Sequence, residues 1–459
     1  MNREEIIEYL NYLEKKFPVN DWKIDGVIIW PVIRVKLFFL FINLDGDSAS
    51  LKTKKKTNFF YSLRKFIISL IYYIYYVYIK KSLADKMFCS ASHFRHFEKG
   101  IYKNRYFNDL IDNQQDFLFL EYESTISKYE EKVDYPHKTL FIYKITYFTH
   151  ALKKIKLYFH KTDYNLFPSF EQFESELFEK FGGKLKISLR EVEENIIYLL
   201  IIKGIYKKIL VRNNINKVYV LSYYSRLVAP MCLAANEVGI ECIDIQHGGQ
   251  GKSHVAYAKF SVVPKYGYQL LPQKFWCWDQ GSADVINEWV STQNYHQVKV
   301  VGNPWIEHCM KYYASHLSEK QKIILYTLQP IDDEIIESYI IDAIIKTPED
   351  YIWWLRLHPR QYKEKEKLLN LLRDNKIYNK VNVEQATALP LPAILTHVYI
   401  HISNFSGSIL EASMLKKKSI ILSELGVLNF PDVVKSEYGI VLLNKSSEEL
   451  LDEIIDRAN

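Results

Sequence analysis

KVYVLSYYSRLVAPMCLAANEVGIECIDIQHGG, Lys217 to Gly249, is the stretch that decides the fold. Its opening, KVYVLSYY, is β-branched and aromatic and reads as a strand. SRLVAPMCLAANEVG follows with helical apolar spacing and closes on Gly239, the residue type that most readily ends a helix. IECIDIQHG is strand-like again and runs into a glycine loop. A strand, a helix and a strand in this order predict parallel pairing through a right-handed crossover.

The loop continues as GGQGKS, Gly248 to Ser253, which imitates the phosphate loop of nucleoside triphosphatases. Such a loop needs a glycine five positions before its Gly-Lys pair, and Gln246 stands there. It should also open directly into a long helix, whereas HVAYAKFSVVP reads as loop and then strand. No apolar strand ending in Asp follows to hold magnesium. The triphosphatase reading is set aside.

The same alternation extends in both directions. Upstream, KMFCSA and HKTLFIYK read as strands and LREVEENIIYLLIIKGIYKKILVRNN as a long helix. Downstream, QVKVVGNP, KIILYTLQP and DYIWWLRLHP are strands, and DDEIIESYIIDAIIKT is a helix. THVYIHISNFSGSILEASMLKKKSIIL is strand, loop, helix and strand. A chain of 459 residues exceeds one ordinary core. The fold expected is therefore α/β of GT-B-like form, with two Rossmann-like domains facing across a cleft. KYGYQLLPQK interrupts the pattern, which places the boundary within 265–285. The domains expected are 1–270, on the acceptor side, and 271–459, binding a nucleotide donor. The closing helix SSEELLDEIIDRAN is expected to pack back on the first domain.

Hydrophobic residues at 48% and charged residues at 25% describe a globular chain rather than a disordered one. The net charge of +6 suits anionic ligands or an anionic membrane surface. No dense Lys/Arg stripe with stacking aromatics supports nucleic acid. Five cysteines without a CxxC pair exclude a zinc ribbon or a disulfide framework and suggest a reducing compartment. MNREEIIEYLNYLEKKF is an amphipathic helix and not a signal peptide, so a cytoplasmic location is expected. RKFIISLIYYIYYVYIKK, Arg64 to Lys81, has an uncharged core shorter than the roughly 20 residues a membrane span needs. Its tyrosines and flanking Arg64, Lys65, Lys80 and Lys81, with Lys54, Lys55 and Lys56 upstream, fit the headgroup level of a membrane. Segment 59–81 is thus either a membrane-surface element, on the inner face of the plasma membrane, or a buried part of the first domain. Asp45 and Asp47 in DGD sit in a lysine-rich loop far from any strand–helix unit and read as a surface turn; no obligatory metal or other cofactor is expected.

In open parallel sheets ligands bind beyond the carboxyl ends of the strands. QHGGQGK, GNP, RLHPR and SNFSGS all fall at such ends. Ser408 and Glu411 have capping-box spacing at the start of a helix, where free N–H groups and the hydroxyls of Ser406 and Ser408 suit a phosphate. Arg356 and His358 share one side of a strand, and an imidazole at its tip can steady the charge of a departing nucleotide. His247, with Gln246, Gly248 and Lys252 in its loop, is expected to face His358 across the cleft. It is a candidate base for an acceptor hydroxyl or a donor to phosphate. Asn303 of GNP completes the set expected to bind substrate.

The ordered set His-Gly-x-x-x-Lys, Arg-x-His-Pro and a serine-rich turn into LEA…LKKKSIIL resembles the GT-B-type transferases of bacterial surface polysaccharides. Among these are capsule and O-antigen glycosyltransferases using cytidine-activated sugars, and the CDP-glycerol glycerophosphotransferases of teichoic acid synthesis. The resemblance covers roughly 215–425. It implies that His358, Ser406 and Ser408 hold the donor phosphate, that Glu411 contacts the nucleoside and that His247 is needed for activity. It implies transfer of a sugar, such as a CMP-linked Kdo or nonulosonate, to a glycan or lipid-linked glycan acceptor. The alternatives are a CDP-polyol phosphotransferase, a nucleotide-sugar epimerase and a non-enzymatic membrane-surface scaffold. A carboxylate base cannot be assigned; Asp109 and Asp112 are guesses.

Overall fold

Parallel strands dominate both halves of the computed structural model, which describes residues 1–43, 59–111, 116–126, 128–185, 187–313, 321–330, 334–444 and 446–456. Asp45, Asp47, Lys54, Lys55, Lys56 and Asp112, and the side chain of Asp109, lie outside the described residues. The chain divides into two compact units, Met1–Gly302 and Asn303–Asn459.

The first unit begins with helices α1 (Arg3–Lys16), α2 (Trp30–Ile42) and α3 (Phe59–Ile74). Strands β1 (Lys86–Ser90), β2 (Phe117–Glu121) and β3 (Thr139–Phe141) precede helices α4 (Thr146–Phe159), α5 (Phe170–Lys180) and α6 (Leu189–Arg212). There follow β4 (Lys217–Val220), α7 (Ala229–Glu237), β5 (Glu241–Ile245), β6 (Lys274–Cys277), α8 (Gln280–Val290) and β7 (Gln297–Val300). These strands form a seven-stranded sheet in the order β7-β6-β5-β4-β1-β2-β3, every pair parallel. Both faces of a parallel sheet are covered by helices, which is why β2 is buried at every residue.

The second unit carries α9 (Pro304–Tyr312), β8 (Lys322–Thr327), α10 (Ser338–Lys346), β9 (Tyr351–Arg356), α11 (Lys365–Asp374) and β10 (Val381–Asn382). It continues through β11 (Val398–Ser403), α12 (Ser408–Met414), β12 (Ser419–Ile421), β13 (Gly439–Val441) and α13 (Ser447–Asp456). Its six-stranded sheet runs β10-β9-β8-β11-β12-β13, again wholly parallel. Counted from the first strand of each sheet, both have the doubly wound order 3-2-1-4-5-6, the first unit adding a seventh strand. Both units are Rossmann-like, and each has a switch point where its order reverses: between β1 and β4, and between β8 and β11.

Two expectations are corrected. The division does not fall between 270 and 271, because β6 pairs with β5 and β7 pairs with β6. The WCW and VKVV segments therefore satisfy their backbone groups in the first sheet, and the unit ends at Gly302. The closing helix α13 packs within its own unit. Leu450, Leu451 and Ile454 join the core beside Ile340 and Ile344 of α10, and Lys346 Nζ donates to Ser447 Oγ at 3.0 Å. Finally, HVAYAKFSVVP makes no strand. It turns at His254, whose carbonyl accepts from Tyr257 N at 2.9 Å and Ala258 N at 2.8 Å.

Segment 59–81 resolves into α3, a π-helical turn at Tyr75–Ile79 and two non-helical lysines, and α3 has two faces. One face packs on α4: Ser69 Oγ accepts from Phe148 N at 3.0 Å, and the Tyr73 and Phe148 rings lie 4.4 Å apart. The other leaves Phe60, Leu63, Ile67, Ile71 and Ile74 exposed at helical spacing. Among the described residues no helix is long and apolar enough to cross a membrane.

One buried ion pair ties the amino-terminal helices to the unit. Arg34 and Glu14 have fully buried side chains in direct contact. Trp30 Nε1 donates to Glu14 Oε1 at 2.7 Å. Arg34 Nη2 donates to the Lys259 carbonyl at 2.7 Å, and its guanidinium lies 4.1 Å from the Phe260 ring centroid. Removing one partner strands the other charge in a dry site, so Glu14→Ala should cost about 3–5 kcal/mol. Urea unfolding reads this directly, and an unchanged midpoint would show that the brace carries no stability.

Candidate functional site

At the carboxyl end of the first sheet, β4 and β5 turn His247 towards Ser222. His247 Nδ1 lies 3.1 Å from the Ile245 carbonyl, so this nitrogen bears the proton. The unprotonated Nε2 then accepts from Ser222 Oγ at 2.8 Å. Burial first, then the charges of His93 and Arg105, push the His247 pKa down to about 4 against the opposing bond to Ile245. The imidazole is therefore neutral at physiological pH, its lone pair aimed at a hydroxyl. Ser222 has φ +56, a left-handed conformation that costs a side-chain-bearing residue about 1–2 kcal/mol and that points its hydroxyl at the histidine. Phe94, in the turn after β1, packs edge-on to the imidazole at 5.2 Å, and Tyr106 OH donates to the His247 carbonyl at 3.1 Å. The pair thus stands at the β1/β4 switch point. A Cβ built on Gly248 meets nothing within 4 Å, so the space beside the loop is open.

Two neighbours in that loop have partners within the first unit. Gln246 is wholly buried; its amide donates to the Gly248 carbonyl and to Ser282 Oγ, each at 3.0 Å, and accepts from Trp278 N at 2.6 Å. It pins the loop to β6 and α8 and has nothing left for a ligand. Lys252 is drawn to Glu288 on α8 at 3.0 Å. Beneath the loop, burial raises the Asp244 pKa to about 8, although Tyr257 OH at 2.8 Å and the Tyr223 N–H favour the carboxylate.

In the second unit the tips of β8, β9 and β11 are adjacent in the sheet. His358 ends β9 with Nδ1 accepting from Arg360 N at 3.2 Å, which leaves the proton on Nε2. Its pKa is lowered by burial and then by Arg360, so the half-buried ring is a neutral N–H donor. The His358 backbone N–H reaches Gln361 Oε1 at 3.3 Å, Gln361 Nε2 reaches the Gln329 carbonyl at 3.3 Å, and Gln329 Oε1 accepts from Phe405 N at 2.7 Å. This relay fixes the β9 tip to the Ser403–Ser408 turn across the β8/β11 switch point. Ser406 is half-exposed in that turn, and a Cβ on Gly407 would meet nothing within 4 Å.

Several residues expected to bind ligand have structural work instead. Arg356 Nη1 donates to the Ala386 and Leu389 carbonyls, both at 2.6 Å, and so clamps the chain after β10. Asn303 caps α9, accepting from Trp305 N at 3.1 Å. The capping box at Ser408 is absent: Gly407 is the cap, and Ser406 Oγ accepts from Ser408 N at 3.2 Å. Ser408 is instead the first helical residue, 2% exposed, with its hydroxyl 3.0 Å from Thr327 Oγ1. Glu411 lies half-buried one turn into α12.

Sequence reasoning missed Ser222, Thr327, Gln329, His401 and Asn404. Asn404 Nδ2 donates to Tyr326 OH at 3.1 Å and Glu337 Oε1 at 3.3 Å; its place in ISNFSG, directly after a strand, was the available signal. Among the described residues no group of three or more His, Cys, Asp or Glu is placed to hold a metal ion.

No family model and no curated protein matches the chain. Solved structures with a similar course include the UDP-GlcNAc 2-epimerase of Methanocaldococcus jannaschii, at 12% identity over 81% of this chain and 92% of that one, TM-score 0.44. A UDP-N-acetylglucosamine 2-epimerase from Listeria monocytogenes has 12% identity over 81% and 87%, TM-score 0.47. Anabaena HepE in complex with UDP has 11% identity over 81% and 88%, TM-score 0.37. The fold of this chain rests on its own strand order, and its chemistry on the side chains above.

The buried imidazoles make stability depend on pH. Burial lowers His254 and His401 to about 3 and His296 to about 4, as it does His247. The unfolded chain takes up these protons from about pH 6.5 downward and the native one does not, so stability falls as pH drops from there towards 3. Asp244 acts in the opposite sense: raised to about 8, it contributes stability below its unfolded pKa of about 4 that is lost as pH rises through 8. The thermal midpoint should therefore climb between pH 4 and about 6.5 and slope gently down to pH 8. In Asp244→Asn the upper slope should vanish; a flat wild-type profile would contradict the buried neutral imidazoles.

Proposed function

We propose that the chain is a nucleotide-sugar enzyme whose second unit grips the donor phosphate and whose first unit carries the proton-transfer group. The observation that carries this reading is the tautomer of His358. Its Nδ1 is occupied by Arg360, so Nε2–H is offered at the same sheet end as Ser406 and the open Gly407. An N–H, a hydroxyl and an uncrowded turn are what a phosphate oxygen needs. Each donates to charge that grows as a nucleotide departs, the form of stabilisation that lowers a transfer barrier. Glu411, on the first turn of α12, is assigned to the nucleoside.

Glycosyl transfer is the reading preferred, to a glycan or lipid-linked glycan acceptor from a donor such as a CMP-linked Kdo or nonulosonate. Transfer needs one base, and the neutral His247 supplies it: Nε2 releases the Ser222 hydroxyl and takes the proton of an acceptor hydroxyl. Epimerisation of a nucleotide sugar is the second reading. It needs a second proton carrier, and His93 is the candidate: its ring lies 4.1 Å from that of Phe94, which itself packs 5.2 Å from His247. A nucleotide sugar incubated in deuterium oxide without acceptor separates the two. Deuterium at a ring carbon means epimerisation, and product only when acceptor is added means transfer. The exposed stripe of α3 with Arg64, Lys65 and Lys81 is assigned to an anionic membrane surface, on the cytoplasmic side where nucleotide donors are made, while Lys80 donates to the Thr139 carbonyl at 3.2 Å.

Titration with CMP, CDP, UDP, GDP and dTDP should find one tight nucleotide. His358→Ala removes a hydrogen bond to a charged group, worth about 1.5–3 kcal/mol, and should weaken that nucleotide roughly 10- to 150-fold. His247→Ala should keep nucleotide affinity and lose turnover by about 100-fold or more. Equal binding and turnover in both variants would refute the assignment. For the membrane, Ile67→Glu with Ile71→Glu should release the protein from anionic vesicles, since both positions are solvent-exposed and neither supports the core; undiminished partitioning would remove α3 from that role.

A further inference from the structure

The first unit contains a cavity of about 520 Å³ whose walls come from α2, α6, the Tyr223–Arg226 turn and Leu270–Leu271. That volume lies within the range of small-molecule sites, roughly 300–1,000 Å³. Its lining is almost wholly apolar, with Val32, Val35, Phe39, Leu199 and Leu271 among the side chains that face it. A sugar or nucleotide would leave its hydroxyls without partners in such a space, at a cost per buried polar group. A hydrocarbon chain would not. Polar groups stand among the lining residues, and one of them is available: Arg226 is exposed, its guanidinium rests 4.2 Å from the Tyr198 ring centroid, and no carboxylate pairs with it among the described residues. Lys36, the other lining cation, is already held by Glu191 at 2.8 Å.

We infer that this cavity holds the aliphatic chain of an anionic amphiphile, with Arg226 taking its phosphate-bearing head. The inference rests on the transferase reading and deepens it by naming the acceptor class. The turn Ser222–Tyr223–Tyr224 joins the two features: Tyr223 and Tyr224 line the cavity, and Ser222 holds His247. A chain seated in the cavity would therefore bring its head group to the loop that carries the proposed base. An acyl chain and a polyprenyl chain share this chemistry.

Binding of dodecyl phosphate to the full chain, followed by calorimetry below its micelle concentration, tests the assignment. Affinity should fall about 4-fold for each methylene removed towards octyl phosphate, and inorganic phosphate should not bind. Dodecanol should bind at least 10-fold more weakly than dodecyl phosphate, and Arg226→Gln should abolish that difference. Val35→Trp, at a half-exposed wall position, should obstruct the cavity and weaken dodecyl phosphate binding while the thermal midpoint is kept. Farnesyl phosphate binding more tightly than pentadecyl phosphate, which has the same carbon count, assigns a polyprenyl chain, and the reverse assigns an acyl chain. Undiminished dodecyl phosphate binding in folded Val35→Trp would place the ligand elsewhere, for example on the stripe of α3, and overturn the inference. Should Val35→Trp not fold, absence of both the chain-length and the Arg226 effects overturns it equally. Nucleotide titration of the same samples keeps the two readings apart: nucleotide bound without amphiphile refutes the cavity alone, and amphiphile bound without nucleotide refutes the transferase reading.

Discussion

His401 is closed to water, and yet both of its ring nitrogens are satisfied. Nε2 meets Thr327 Oγ1 at 3.0 Å and Nδ1 meets Ser419 Oγ at 2.8 Å. Thr327 donates in turn to Ser403 Oγ at 2.9 Å and lies 3.0 Å from Ser408 Oγ. One imidazole and its hydroxyls thus lock β8, β11, β12 and the first residue of α12 together. A buried polar network of this kind holds a unique arrangement only when every member is paired. Here its completeness decides what the ligand end of the sheet can offer. Ser408 is spent inside, so Ser406 and Gly407 are the part of the turn left at the surface. Gly426 enforces the same geometry from the other side, since a Cβ there would lie 2.1 Å from the Asn404 carbonyl.

The first unit solves the corresponding problem with strain. At its β4 tip Ser222 is held at φ +56 by its flanks: Tyr223 N reaches Asp244 Oδ1 at 3.3 Å, and Tyr223 OH bonds the Ala256 carbonyl. Strain of this order persists only where surrounding contacts over-determine it. The outcome is a serine hydroxyl presented to an imidazole that burial keeps uncharged. A charged histidine there could donate but could not accept, so the desolvation that lowers its pKa is also what makes the ring usable as a base.

The two sheets were legible because their strands are continuous apolar runs between helices of clear periodicity, as in KIILYT and LREVEENIIYLLIIKGIYKKILVR. β2 escaped notice because FLFLE is a five-residue run buried on both faces, a length that periodicity cannot assign to strand or helix. The boundary was misplaced for a physical reason of another kind: WCWD and VKVV look like the opening of a new series, and only pairing with β5 shows that they extend the old one. Site residues divide in the same way. The places of His247, His358 and Ser406 at strand ends were legible. Gln246, Arg356 and Ser408 lie at those same ends, but their side chains turn inward to pin the loops, and only the hydrogen-bond geometry shows it. Ser222 could not have been read at all, since its backbone conformation is imposed by residues more than twenty positions away.

The two units differ in what they leave unfilled, and that difference argues for a division of labour. At the β8/β11 switch point the open features are polar: an imidazole N–H, a serine hydroxyl and a bare glycine turn. The cavity of the first unit is apolar, and among the described residues no carboxylate pairs with the Arg226 guanidinium at its lining. Polar donors at a strand tip gain from an anion that would otherwise be solvated by water, whereas an apolar void gains only from hydrocarbon. A catalyst acting on one soluble nucleotide sugar has use for the first kind of site alone. The second kind is explained when one substrate is a nucleotide and the other arrives on a lipid, and the exposed apolar stripe of α3 belongs to the unit that would have to meet such a substrate at the membrane.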